Sequence, residues 1–423
     1  MSSVAPARPV TQPLSAAPAR SFREVWLVTA GHSLTHWYPA TFYILLPLIG
    51  AELGLSYSQI GLVMSCQYIA GAISNIPGGM FVDTSHRKGT LLAVSLFWIG
   101  FPYLLMGFTH SYWLLLVCIS LVGVGNNLWH PAAIPGLASR YPERKGLVLS
   151  VHGMGGNVGD ALAPLAVGGL LAFMSWREIV MVNLVPGVVV AVLILAFLGT
   201  WNLAADGSKV TAGSKKPQSF SAYLAGLKQL LRNRSLGVLL ASSAFRSMSQ
   251  STLLTFLPVF LSREMSYSPL WVGGCMFAMQ AAGFAAAPVA GHLSDSMGRR
   301  KIILSSLSLT AVLLFMMAFA GNSPLFVFLI AGVGFFLYAT RPVLQAWMLD
   351  STPKNMGGTS IGIMFGCQAL GSAIAPTIGG LIADDWGLLA TFYFIAGTIV
   401  IANFFIFLMP DLVGDGTEKP AGT

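Results

Sequence analysis

Charge is what this chain has least of. Only 9% of its 423 residues are Asp, Glu, Lys or Arg, where a soluble protein carries about 25%. With 55% hydrophobic residues and a mean hydropathy of +0.73, most of its surface cannot face water. Cysteine is scarce as well. Cys66, Cys118, Cys275 and Cys367 all sit inside apolar runs, which excludes a disulfide framework and gives no metal-ligand spacing. No G-x-x-x-x-G-K-[ST] signature is present, so transport powered directly by ATP is excluded for this chain. No nucleophile with a matching base is spaced for catalysis, and an enzyme is not expected. The first 22 residues contain no apolar core and make a poor signal peptide. They read as part of a disordered tail.

What is there instead is a series of apolar stretches, each long enough to cross a bilayer core of about 30 Å. Twelve spans are predicted, at roughly 25–50, 57–82, 89–109, 112–138, 145–174, 177–200, 235–261, 269–294, 301–320, 324–349, 357–383 and 387–410. Nineteen basic residues fall before span one, in alternate loops and in the tails. The opposite loops hold two, Arg177 and Arg263, each followed by a Glu. The positive-inside rule then puts both termini in the cytoplasm, with the chain multi-pass in the inner (plasma) membrane. The net charge of +8 is thereby read as a topology signal, not as a nucleic-acid surface.

Residues 201–234 are the only long polar interruption and divide the spans into two sets of six. The expected organisation is a cytoplasmic tail (1–23), a six-helix bundle (24–200), a central loop (201–234), a second bundle (235–410) and a tail (411–423). The halves resemble each other. Asp83 and Asp295 stand in GGMFVDTSHRKGTLL and AGHLSDSMGRRKIIL, 212 positions apart; Gly159 with Gly371 and Pro164 with Pro376 keep the same offset. Two such halves enclosing a mid-membrane site describe a secondary transporter.

The motif Gly79-x-x-x-Asp83-x-x-x-Arg87-Lys88 and its copy Gly291-x-x-x-Asp295-x-x-Gly298-Arg299-Arg300 resemble the cytoplasmic loop motif of the major facilitator superfamily. Thr84 and Ser296 stand where a basic residue is usual, and His86 replaces a glycine. The resemblance implies an all-α fold of twelve transmembrane helices, and a gate in which these carboxylates meet a helix N-terminus or an arginine. Within the superfamily, GVGNNLWHPAA followed by SVHGMGGNVGDALAP resembles the fosmidomycin-resistance group. That implies proton-coupled efflux of a drug or anionic metabolite. An uptake symporter for a carboxylate is the alternative, and a transporter-like sensor a weaker one.

Ionisable side chains are costly at bilayer depth, so those found there usually face a cavity and act. Of fifteen acidic residues only Asp160 lies mid-span. It is read as a proton-coupling group, as half of a static Asp–Arg pair, or as a vestibule residue. His32 and His36, one helical turn apart, share a face of span one and are candidate proton carriers. No cysteine or carboxylate cluster accompanies them, so no metal or other cofactor is expected. Arg246 and Arg341 are the cations at depth and favour an anionic cargo, because a guanidinium grips carboxylate or phosphonate in a fork. His130, Asn126, Asn127, Trp129, Tyr38, Gln250 and Gln368 are candidate cargo contacts. Gly155, Gly156, Gly159, Pro164, Gly371 and Pro376 are read as helix-packing positions. Protons and lipid are the other expected partners, and a monomer the expected assembly.

Overall fold

A computed structural model describes residues 22–85, 87–199, 232–320, 325–352 and 357–409, without the side chains of 75–76, 79, 83–84, 318 and 357–358. The two tails and nearly all of the central loop therefore lie outside the described residues. What is described is helical. The first set of helices is α1 (Arg23–Glu52), α2 (Tyr57–Thr84), α3 (Lys88–Met106), α4 (Tyr112–Arg140), α5 (Lys145–Leu170), α6 (Trp176–Val182) and α7 (Leu184–Leu198). The second is α8 (Arg234–Arg263), α9 (Pro269–Met297), α10 (Arg299–Ala320), α11 (Leu325–Asp350), α12 (Gly357–Trp386) and α13 (Leu388–Phe407).

The predicted sixth span is two helices, broken at Asn183. The break is stabilised by side chains: Trp37 Nε1 donates to Asn183 Oδ1 and the Tyr38 hydroxyl to its carbonyl, both at 2.8 Å. A freed backbone group inside a membrane needs such a partner. Eight of the spans are long and apolar enough to cross a membrane by composition alone. The four that are not, α1, α2, α5 and α8, carry the polar, glycine and serine positions of the interior. Outward faces are greasy: Val185, Val189, Val192 and Phe197 on α7 and Val400, Phe404 and Phe407 on α13 are exposed, as lipid contact requires.

Each set packs in the same pattern. α1 lies on α5 as α8 lies on α12, and α2 on α4 as α9 on α11. The two sets meet through α2 with α12, α5 with α9 and α1 with α8. Those junctions repeat the 212-residue offset in space. A Cβ on Gly61 would sit 2.1 Å from the Pro376 carbonyl oxygen, and one on Gly273 2.2 Å from that of Pro164. Likewise Gly380 abuts the Tyr57 carbonyl at 2.3 Å and Gly168 the Pro269 carbonyl at 2.5 Å. The Asp384 carboxylate accepts the Tyr57 and Ser58 amides at 2.7 and 3.0 Å, capping the start of α2 across the junction.

All these contacts lie at the end away from where α1 begins and α13 finishes. The seam between the two sets is thus shut at that end by glycine contacts. Adding side chains at the shut end should prise it apart. Gly61→Val and Gly273→Val are each expected to disfavour the closed arrangement by about 1–3 kcal/mol, roughly a 5- to 150-fold shift in population. Spin-label distances between the start of α2 and the end of α12 would lengthen; unchanged distances would contradict this.

Candidate transport cavity

Two recesses open between the helix sets at mid-height. One, of about 440 Å³, is lined by Asn157 and Asp160 of α5, Gln280, Gly283, Phe284 and Ala287 of α9, and Tyr338, Arg341 and Pro342 of α11. The other, of about 450 Å³, is lined by Tyr68 of α2, Arg246, Ser247, Gln250, Ser251 and Leu254 of α8, Arg341, and Gln368 and Ser372 of α12. Arg341 belongs to both. The two predicted cations thus share one wall, supplied by the second helix set.

Arg246 is 2% exposed, and its Nε and Nη1 have no hydrogen-bond partner. Among the described residues neither Arg246 nor Arg341 forms an ion pair. A buried guanidinium left so is a strong destabilisation unless something anionic completes it. Its neighbourhood is hydroxyl-rich: Ser247 pairs with Ser372 at 2.8 Å, and Gln368 donates to Ser243 at 2.5 Å.

Asp160 does not pair with an arginine. Its Oδ2 accepts from His36 Nδ1 at 2.9 Å, within the first helix set, with both side chains half-buried. Of the three readings of Asp160, the static pair with arginine is the one this geometry does not contain. Close helix approach brings the pair together, since a Cβ on Gly156 would lie 2.9 Å from the His36 and His32 rings, and one on Gly159 2.1 Å from the Ser33 carbonyl. Gly155 is equally tight against Thr29 at 2.6 Å, and Gly371 against Ala244 at 2.6 Å. His32 donates from Nδ1 to the His152 carbonyl at 2.6 Å and places its Nε2 3.2 Å from His130 Nε2.

Several predicted cargo contacts lie elsewhere. Tyr38 is fully buried, bridging Asn183 as above and accepting at its carbonyl from Tyr103. Trp129 is fully buried with its ring on Gly31, its tip 2.1 Å from where a Cβ would stand. Asn127 Nδ2 returns to the Gly123 carbonyl of its own helix at 3.1 Å, and Asn126 Oδ1 is buried without a partner. Packing or backbone satisfaction claims Tyr38, Trp129 and Asn127, and leaves Asn126 Oδ1 unanswered. Conversely Tyr68, Ser247, Ser251, Ser372 and Phe284 line the recesses without having been predicted. The run SSAFRSMSQST in α8 is the signal that would have found the serines, since membrane packing alone does not ask for so many hydroxyls.

The loop motif is closed within the second set. Arg299 Nη1 meets Asp295 at 2.6 Å and donates to Ser294 at 2.6 Å, while its Nε reaches Asp350 at 3.3 Å. Arg300 donates to the Phe407 carbonyl at 2.9 Å. Gly298 turns α9 into α10 at φ 93°, which favours glycine. In the first copy Arg87 is exposed, Lys88 is buried with its ammonium on the Val82 carbonyl, and the side chains of Gly79 and Asp83 lie outside the description.

The Major Facilitator Superfamily model matches residues 25–287 and 239–422, nearly the whole chain. The chain belongs to this superfamily. It is similar to the phosphoglycerate transporter protein of Salmonella typhimurium strain LT2, 22% identical over 87% of this chain and 84% of that one. It is 24% identical to the fosmidomycin resistance protein of Escherichia coli strain K12, over 92% and 93%. Among solved structures, a bacterial homologue of the human lysosomal transporter Spinster, described as inward-facing and unoccupied, superposes with a TM-score of 0.78 at 16% identity, covering 92% of this chain and 97% of that one. The protein is therefore an integral membrane protein with the superfamily fold, and its relatives are transporters.

The site geometry makes a separable forecast for Tyr38. Tyr38→Phe leaves the Asn183 carbonyl without its hydroxyl donor, which is expected to cost about 1–3 kcal/mol of stability. The melting temperature in detergent should fall while cargo affinity stays put; a change in affinity with no loss of stability would return Tyr38 to the cavity wall.

Proposed function

We propose that this protein is a secondary transporter that moves a small organic anion, or a drug carrying a phosphonate-like group, by alternating access. The observation that carries this is the pair Arg246 and Arg341 on one recess wall, with no protein carboxylate paired to either. With the end of the chain termini open in this proposal, an anion entering there would find two fixed positive charges at a place where water is scarce and Coulomb forces are strong. The phosphoglycerate transporter is a relative whose named cargo is such an anion. Both termini are placed in the cytoplasm in this proposal, so the open end faces inward.

The proposal extends to export driven by a proton gradient. Its supports are the similarity to the fosmidomycin resistance protein and the placement of Asp160. That carboxylate is the acidic group lining the Arg341 recess, and it comes from the opposite helix set. Cargo and carboxylate would then compete for the same field.

Two experiments test this. Arg246→Lys and Arg341→Lys each remove a forked contact worth about 1.5–3 kcal/mol, so the KM for a transported anion should rise roughly 10- to 150-fold. An unaltered KM in both would point to a neutral or cationic cargo. In inside-out vesicles with an imposed pH gradient, the wild type should accumulate the anion and Asp160→Asn should not, while keeping gradient-independent exchange. Accumulation only in right-side-out vesicles would make the protein an uptake symporter; equal accumulation by the variant would remove Asp160 from coupling.

A further inference from the structure

Four of the seven histidines gather against one another inside the first helix set, and anion recognition by the arginines does not use them. His32 and His36 come from α1, His130 from α4 and His152 from α5. Ring centroids stand 4.9 Å apart for His32 and His36, 5.0 Å for His32 and His130, and 4.1 Å for the stacked pair His32 and His152.

We propose that His32, His36 and His130 form a binding site for a divalent transition metal of the zinc type, with one coordination position left over. Two of the rings are oriented from outside the cluster. His32 Nδ1 faces the His152 carbonyl at 2.6 Å and His36 Nδ1 faces the Asp160 carboxylate at 2.9 Å. A ring nitrogen that meets an acceptor oxygen carries the proton, so in the neutral rings Nε2 is left as the ligand atom. Carboxylate and carbonyl partners behind the ring are what orient metal-bound imidazoles and raise their basicity.

The spacing fits as well. His32 Nε2 and His130 Nε2 share a hydrogen bond at 3.2 Å; with the His32 proton on Nδ1 it is His130 Nε2 that donates, so a metal ion bound by both requires His130 to carry its proton on Nδ1 instead. Two imidazole nitrogens at about 2.05 Å from a tetrahedral Zn²⁺ stand about 3.3 Å from each other. The ligand atoms of all three residues lie within 4.8 Å of one another, so a swing of the third ring by about 1.5 Å completes the set. Three imidazoles without thiolate or hydroxyl suit Zn²⁺, Cu²⁺ or Ni²⁺ and not Mg²⁺ or Ca²⁺. Asp160 supplies countercharge through His36. An independent sign is His152: it is 3% exposed, and neither of its ring nitrogens has a partner. A buried imidazole without a partner, stacked on one of three converging rings, marks a polar pocket short of an occupant.

The test needs no cargo, so it stands or falls apart from the anion assay. The full chain, purified in detergent with any affinity tag removed, is titrated with ZnCl₂ by calorimetry and with CoCl₂ by visible absorption. One equivalent should bind, and Co²⁺ should show the intense visible bands of a four-coordinate ion. His36→Asn and His130→Asn should each weaken Zn²⁺ binding at least tenfold. Asp160→Asn, which removes only an outer partner, should weaken it about 10- to 100-fold. His110→Asn, beside Arg177 at the shut end, should leave it unchanged. Absence of one-equivalent binding to the wild type would overturn the proposal without recourse to any variant. So would Zn²⁺ binding that survives both histidine substitutions.

Discussion

A guanidinium keeps its charge at every pH a cell reaches, so a bundle that buries one must answer that charge with something other than proton loss. Arg246 poses this problem in its sharpest form. It is enclosed, two of its donors are unpartnered, and the carboxylate that might have neutralised its wall is turned to His36 on the opposing helix set. The unsatisfied charge is tolerable only in a chamber that opens to water or to an anion. That requirement accounts for the rest of the layout: the two recesses, the hydroxyl-bearing face of α8 and the polar character of the helices that border them.

The closure at one end works on a different principle. Where α2 meets α12 and α5 meets α9, glycine lies directly on a carbonyl of the neighbouring helix, and the four contacts obey the internal duplication residue for residue. Small residues at crossings let backbones approach, which is how helices attract one another where lipid removes the hydrophobic drive. Such contacts carry little net charge. They are exact in shape and indifferent to what the cavity holds. The charged elements of the described seam are the Asp384 cap on two amides and Arg263, whose guanidinium lies 5.2 Å over the Tyr57 ring.

Much of this was legible in the amino-acid order, and the parts that were not share a cause. Long apolar runs and the 212-residue duplication are one-dimensional signals that led to the right family, and the isolation of Asp160 among fifteen acidic residues singled out one mid-span acid. The partner of Asp160 was not legible, because His36 stands 124 positions away and both arginines were equally available on paper. Tyr38 and Trp129 looked like cargo contacts because an aromatic with a polar tip has the same spelling on a cavity wall as in a helix crossing. The break at Asn183 escaped for a related reason: its neighbours read as one apolar span, and the side chains that make a break tolerable come from α1. His32 and His36 alone, without a cysteine or carboxylate cluster, do not spell a metal site, and His130 stands 98 positions from His32 on α4.

These two principles, charge unsatisfied at the centre and shape satisfied at the rim, divide the labour of the proposed cycle. If the shut end were held by ion pairs, any change in cavity charge would weaken or strengthen the seal directly, and the barrier would leak in some charge states. With glycine on carbonyl, the seal's strength is independent of the cavity's charge. What the charge can then alter is the distance between the arginine wall on α8 and α11 and the acid on α5, which belong to different helix sets. In the proposed cycle an anion between them would neutralise the arginines and repel Asp160, and its departure would restore the attraction of Asp160 for Arg341 across their shared recess. On that proposal the rocking coordinate and the binding coordinate are the same distance, and one mid-span carboxylate facing Arg341 would couple the two.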